Sequence, residues 1–318
     1  MVSLMMQHLL PPVALLLLSI IPTETKVVTS MAECNEFFLQ QTPPNIPGIL
    51  EGGNILDQNR YKPICQTLRD ISRFMTLYDI RNKIPVFSAA KYGGGGEGKK
   101  SFWKVEPQLE NTAEGDNMIK AEKNITYINQ AGDTDYNNKE EYTRGHLFPS
   151  YYRSDEVEKR STFTLTNVVP QKLNFNSGSW NKMEHCVKCI LDNYCINNNN
   201  IIEGFVVIGA QPSNGNILNN KINIPSMLWS AFCCYSGNQN KWLAGAHWGE
   251  NRDNGHTYLQ TKTLAELKNI LGIEAFRGTQ CPNDITVTQL YLKHPCKSHC
   301  RQTEKSLTPP TSTNTPSV

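Results

Sequence analysis

The sequence predicts an α+β fold with a mainly antiparallel central sheet flanked by helices. Strand-like and helix-like segments are interspersed along it. The joints between neighbouring strand candidates are short, as in "SGNQN" between "MLWSAFCCY" and "KWLAGAHW". No internal repeat divides the chain, so residues 34–300 are read as one large domain or two intimate halves.

The elements follow in order. "ICQTLRDISRFMTLYDIRNKI" carries apolar residues at Ile64, Leu68, Ile71, Phe74 and Leu77, a spacing that predicts a helix. "IPVFSAAKY" reads as a strand. "GGGGEGKK" follows, and four consecutive glycines predict a plain surface loop, because no helix start follows to make it a phosphate cradle. "QAGDTDYNNKEE" is expected to be solvated loop, and "STFTLTNVV" a strand by its β-branched content. Residues 178–195 look helical, and "GFVVIGA" is a buried strand bounded by glycines. The strands "MLWSAFCCY" and "KWLAGAHW" come next, and "TLAELKNILG" is a helix closed by Gly272.

Both ends read as dispensable to the fold. The run Val13–Ile21 is too short to span a bilayer, and residues 1–25 are expected to be a secretory signal peptide. Residues 301–318, with "SLTPPTSTNTPSV", read as a disordered Ser/Thr/Pro tail. No second apolar segment follows, so an extracellular chain without a stable membrane anchor is expected; no oligomeric state follows from the sequence. Ten cysteines behind a signal sequence predict disulfides, with Cys34 and Cys65 the first candidate for a local pair. Zinc competes at "EHCVKC" and "HPCKSHC", but it needs thiolates that an oxidising compartment tends to lock as disulfides. Asn124-Ile125-Thr126 is an N-glycosylation sequon, expected on an exposed loop. The net charge is only +2, so any nucleic-acid site must be a local basic patch.

Two stretches carry the chemistry. "EYTRGHLFPS" brings together Arg144, Gly145 and His146. Taken alone, such a histidine is more often a satisfied loop residue than a catalytic base. Downstream, Asn176, Trp180, Glu184 and Lys188 recur every four residues. On a helix each such step drifts only about 40°, which predicts one slowly winding stripe. Asn and Glu are costly to bury unpaired, so the stripe is expected to line a site, with Trp180 more core than platform.

Together, "TRGH", "TNVVPQ" and "NSGSWNKME" resemble the DNA/RNA non-specific endonucleases, the ββα-metal or His-Me finger enzymes. That resemblance implies a ββα-metal active-site motif and hydrolysis of DNA or RNA with low base specificity. It implies His146 as general base, Asn176 as the direct ligand of Mg²⁺ (or of another divalent cation such as Mn²⁺), and Glu184 behind the metal. Asn167 would orient the histidine loop, with Arg144 beside it. Lys188 stands where the family has a phosphate-contacting arginine; it keeps the charge and loses the bidentate grip. The family's upstream arginine falls in "EGKKSFWKVEPQ", which offers Lys99, Lys100 and Lys104. Thr143 replaces the family's aspartate. That departure motivates a second reading, a catalytically lapsed nuclease fold acting as an extracellular binding or immune-related interaction protein.

Overall fold

The computed structural model describes residues 27–98, 100–137, 141–253, 257–291 and 293–300. The expected signal segment and tail, and Lys99, lie outside them. In chain order the strands begin with a small hairpin, β1 (Leu50–Glu51) and β2 (Asn54–Ile55), followed by β3 (Tyr61–Thr67), β4 (Ser72–Asp79) and β5 (Ile84–Tyr92). A short ribbon, β6 (Lys104–Val105) with β7 (Ile119–Lys120), precedes a second ribbon, β8 (Tyr142–His146) with β9 (Val168–Lys172). Helix α1 (Glu156–Ser161) lies between β8 and β9, and α2 (Asn181–Tyr194) follows them. Then come β10 (Gly204–Gln211), the small pair β11 (Ile217–Leu218) and β12 (Ile222–Asn223), β13 (Met227–Ser236) and β14 (Lys241–Glu250). Helices α3 (Leu264–Leu271) and α4 (Thr288–Tyr291) close the chain.

The central sheet has six strands in the order β14-β13-β10-β5-β4-β3, antiparallel at every joint, as the sequence predicts. Both faces are covered. Val206, Ile208 and Ala210 of β10 face α2 and the β8–β9 ribbon, whereas Phe205 and Val207 face α3 and the N-terminal turn Met31–Phe37. Period two therefore sorts side chains between two cores.

That double burial explains one correction. The helix expected over Ile64–Leu77 is instead β3 and β4, joined by a turn at Arg69 and Asp70 with φ of 57° and 58°. Strands buried on both sides have no polar stripe, so their apolar residues fall at helical spacing by accident. Ile71, counted on the apolar face of the supposed helix, is 52% exposed. A second correction is smaller. In "STFTLTNVV" only Val168 onward is strand, because Leu165–Asn167 forms a tight 3₁₀ turn.

Helix α3 starts at a capping box, Thr263 with Glu266, and ends at Gly272 in the left-handed region with φ of 74°. Before α2 the chain makes a π-helical turn, Phe175–Trp180, broken at Gly178. The residues 176, 180, 184 and 188 thus do not form the single stripe expected. Trp180 is fully buried and packs on Phe175, with ring centroids 5.6 Å apart.

All ten cysteines are bridged: Cys34–Cys65, Cys186–Cys300, Cys189–Cys296, Cys195–Cys234 and Cys233–Cys281. The "EHCVKC" and "HPCKSHC" stretches, the two competing zinc candidates, are tied to each other by two disulfides. These clamp residues 296–300 onto α2.

Candidate active site

The site grows from the β8–β9 ribbon and the helix that follows. His146 ends β8 opposite Val168, which opens β9. Gly145, just before it, faces Gln171 so closely that a Cβ would lie 1.9 Å from Gln171 Oε1 and 2.6 Å from its Cβ. A side chain at 145 would push the two strands apart, and this is the physical reason for the glycine in Arg-Gly-His.

Asn167 is wholly buried one residue before β9. Its Oδ1 accepts from Ser88 Oγ (2.9 Å) and from Phe148 N–H (3.1 Å). Its Nδ2 donates to the carbonyls of Phe148 and Thr162, both at 3.0 Å. All four hydrogen-bonding positions of the amide are used. Two residues past His146, the backbone is therefore anchored to the central sheet, because Ser88 lies on β5 and also bonds Thr76 of β4. Asn167 thus ties the segment after His146 to the central sheet.

The His146 ring is wedged between Trp103 and Phe163, with centroids at 5.3 and 4.8 Å. Its Nε2 is shut away from solvent and finds no hydrogen-bond partner among the described residues. Burial, assisted by the charge of Lys104, lowers its pKa from 6.5 to about 4, so the ring is neutral at pH 7.

Asn176 and Thr143 are coupled: the amide nitrogen donates to Thr143 Oγ1 at 2.9 Å, and that hydroxyl donates to the Gln171 carbonyl at 3.3 Å. With its nitrogen committed, the Asn176 carbonyl oxygen is the atom left to meet a cation. Three residues of strand, about 10 Å at 3.3 Å per residue, separate Thr143 from His146. The ligand set is sparse. No group of three or more His, Cys, Asp or Glu side chains able to hold a metal exists among the described residues. One neutral oxygen suits a cation that keeps most of its own waters, as Mg²⁺ does, and does not suit a closed cage.

Glu184 is buried on α2, where Tyr151 Oη donates to its Oε2 at 2.6 Å. Burial pushes its carboxyl up to about 8 against the opposing pull of that hydrogen bond. Tyr151 also stacks flat on His185, with centroids 4.8 Å apart and planes 6° from parallel. Tyr151 was not anticipated from the sequence. The only sign was its place in "FPSYYRS", five residues beyond His146.

The expected cations are placed differently from one another. Arg144 donates to the Asp133 carbonyl at 2.6 Å, pairs with its carboxylate at 2.7 Å, and lies over the rings of Trp103 and Tyr136. It anchors structure. Lys188 pairs with Asp192 at 2.7 Å, and Asp192 also accepts from Tyr92 Oη (2.5 Å) and Gly95 N–H (3.2 Å). The glycine run is no plain surface loop, since a Cβ on Gly95 would lie 2.4 Å from Lys188 Cε and 2.7 Å from the Tyr151 carbonyl. Lys104 is buried, with burial lowering its pKa to about 8, and its ammonium donates to the Arg160 carbonyl. Lys100 is exposed.

The sequence model of the DNA/RNA non-specific endonuclease family matches residues 52–280. The endonuclease domain-containing 1 protein of Homo sapiens is 30% identical over 212 residues, covering 64% of this chain and 39% of that protein. Its Mus musculus counterpart is 27% identical over 208 residues, covering 64% and 38%. This chain therefore aligns with well under half the length of both relatives. A chain from the crystal structure of the EndoG/EndoGI complex superposes with a TM-score of 0.49 and 18% identity, over 68% of this chain and 90% of that one.

Proposed function

This chain belongs to the DNA/RNA non-specific endonuclease family, and from that premise we propose that it is a secreted, divalent-metal-dependent nuclease. It hydrolyses phosphodiester bonds of DNA, RNA or both with little base preference. The observation that carries this reading is the ribbon that ends in a neutral, ring-clamped His146 and also holds Thr143 against Asn176. Asn176 would hold the cation, Mg²⁺ or another such as Mn²⁺. When bound, the ion supplies positive charge to the phosphate and to the leaving oxygen.

This chain's own residues do the rest. His146, uncharged at neutral pH, takes the proton of the attacking water. Asn167 keeps the segment after it from shifting. Glu184 carries its proton at pH 7 and releases it more readily beside positive charge. Exposed Lys100 meets phosphate, with Lys99 beside it in sequence, and Lys188 joins them on release from Asp192; such contacts give affinity without reading sequence. Full use of cysteines in disulfides and the exposed sequon at Asn124 support an extracellular setting. Among the described residues no helix is long and apolar enough to cross a membrane.

Specific contacts favour the second reading, a binding protein without turnover. Arg144 and Lys188 are both engaged by aspartates, and Thr143 brings no negative charge to the metal side. One experiment separates the two. Purified secreted protein is incubated with plasmid and with RNA, in Mg²⁺ or in EDTA, alongside His146→Ala. Cleavage that needs Mg²⁺ and His146 supports the enzyme; retained nucleic acid without cleavage in any arm supports the binding protein.

A further inference from the structure

Beside the catalytic ring lies a cleft that the mechanism does not use. Its volume is about 600 Å³, within the range of about 300–1,000 Å³ usual for small-ligand sites. The segments that enter and leave the β6–β7 ribbon build it, presenting Phe102, Trp103, Lys120 and Lys123 along the wall, with Asn124 of the sequon also in its lining. Trp103 is shared, since one part of its ring system packs on His146 and the residue also lines the cleft. The cleft therefore opens next to the base.

Three features define what it would take. Phe102 is 54% exposed, an uncommon position for a large aromatic residue on a loop that leads into a ribbon. Two ammonium groups hold that ring, Lys104 Nζ at 4.9 Å and Lys120 Nζ at 5.9 Å from its centroid. Lys120 and Lys123 are both exposed, and neither makes an ion pair among the contacts of the described residues. Of the two lining carboxylates, Asp133 is neutralised by Arg144, which leaves Glu122 against two lysines. The wall thus joins an aromatic face to a net positive rim. This combination fits a nucleotide whose base is free to stack and whose phosphates meet lysine.

We infer that this cleft binds an unpaired nucleobase of single-stranded nucleic acid, with Phe102 as its stacking platform and Lys120 and Lys123 on the flanking phosphates. The inference rests on the nuclease reading and narrows it, because a paired base keeps its faces in the helix stack and cannot reach Phe102. Phe102 is a specificity-determining residue and takes no part in proton transfer.

Fluorescence anisotropy tests this, with a labelled single-stranded oligodeoxynucleotide and a duplex of the same sequence titrated in EDTA with the full secreted protein from which N-glycans have been removed, because Asn124 lines the cleft. Wild type is expected to bind the single strand more tightly than the duplex. Phe102→Ala should weaken single-strand binding by about 5- to 150-fold, the usual range for one base stacked on an aromatic residue, and barely affect the duplex. Phe102→Tyr should retain the preference. Equal affinity of wild type for both forms, or an unchanged single-strand affinity in Phe102→Ala, overturns the subsite while leaving a nuclease in place. Absence of binding to either nucleic acid overturns the subsite, and plasmid cleavage in Mg²⁺ decides the nuclease reading separately.

Discussion

Replacing Gly145 by alanine is the sharpest perturbation of the site that leaves every catalytic candidate untouched. The added methyl would meet Gln171 Oε1 at 1.9 Å, its Cβ at 2.6 Å and its Cδ at 2.9 Å. The amide could rotate away, but the Gln171 Cβ is fixed by the β9 backbone, so the ribbon itself must widen. Overpacking of this kind costs about 1–3 kcal/mol. The backbone at 145 is not in the left-handed region, so alanine also restrains the unfolded chain and returns about 0.4–1 kcal/mol. The net loss is then between about 0 and 2.6 kcal/mol, and at about 2–4 °C per kcal/mol for a chain of this size the melting temperature falls by at most about 10 °C. Activity should fall much further. The ribbon carries both His146 and the Thr143 contact to Asn176, and a misplacement near 1 Å costs about 10²-fold in rate. The assay is initial-rate plasmid cleavage in Mg²⁺ on wild type, Gly145→Ala and Gly93→Ala, with melting curves on the same samples. Gly93 serves as control, because a Cβ there meets nothing within 4 Å. If Gly145→Ala cleaves within twofold of wild type, the claim that ribbon closure positions the site is refuted.

Other expectations follow from the same contacts. With His146 lowered to about 4, the acid limb of kcat/KM should fall near pH 4–5, well below the ordinary imidazole value near 6.5; a limb at 6.5 would mean that the ring is not desolvated in solution. Glu184 is raised to about 8 when folded and titrates near 4.5 when unfolded, so the native state holds the extra proton and stability falls as pH rises through that window. The melting-temperature advantage of wild type over Glu184→Gln in EDTA should therefore shrink between pH 5 and pH 8, and a constant difference would contradict the burial argument. Thr143→Val removes the acceptor that orients the Asn176 amide; the Mg²⁺ concentration for half-maximal cleavage should rise while the fold melts within about 1.5 kcal/mol of wild type, the loss of one hydrogen bond. The double variant Cys34→Ala/Cys65→Ala should lose about 2–4 kcal/mol of stability, and a non-reducing peptide map of wild type should show that pair linked.

Much of this protein can be read from its sequence, because local chemistry specifies local geometry. The glycine-bounded "GFVVIGA" and the paired runs on either side of "SGNQN" are strands, and Thr263 with Glu266 and Gly272 mark both ends of α3. The order His146, Asn167, Asn176, Glu184 points to the family, since each residue type is tied to a step of phosphodiester chemistry. Cys34 and Cys65, close in sequence and remote from the others, pair as expected. What the sequence concealed depends on groups brought together from distant positions. The helical spacing over Ile64–Leu77 was misleading because a sheet covered on both faces erases the alternation that marks a strand. A cation's character does not show which carboxylate will fold against it, so only tertiary structure reveals Arg144 held by Asp133 and Lys188 held by Asp192 under the glycine loop. The same holds for desolvation. The His146 ring is neutral because Trp103 and Phe163 close around it, and the Glu184 carboxyl is raised by its burial on α2 against the pull of Tyr151; burial is a property of the packed fold that residue types along a chain do not encode one by one.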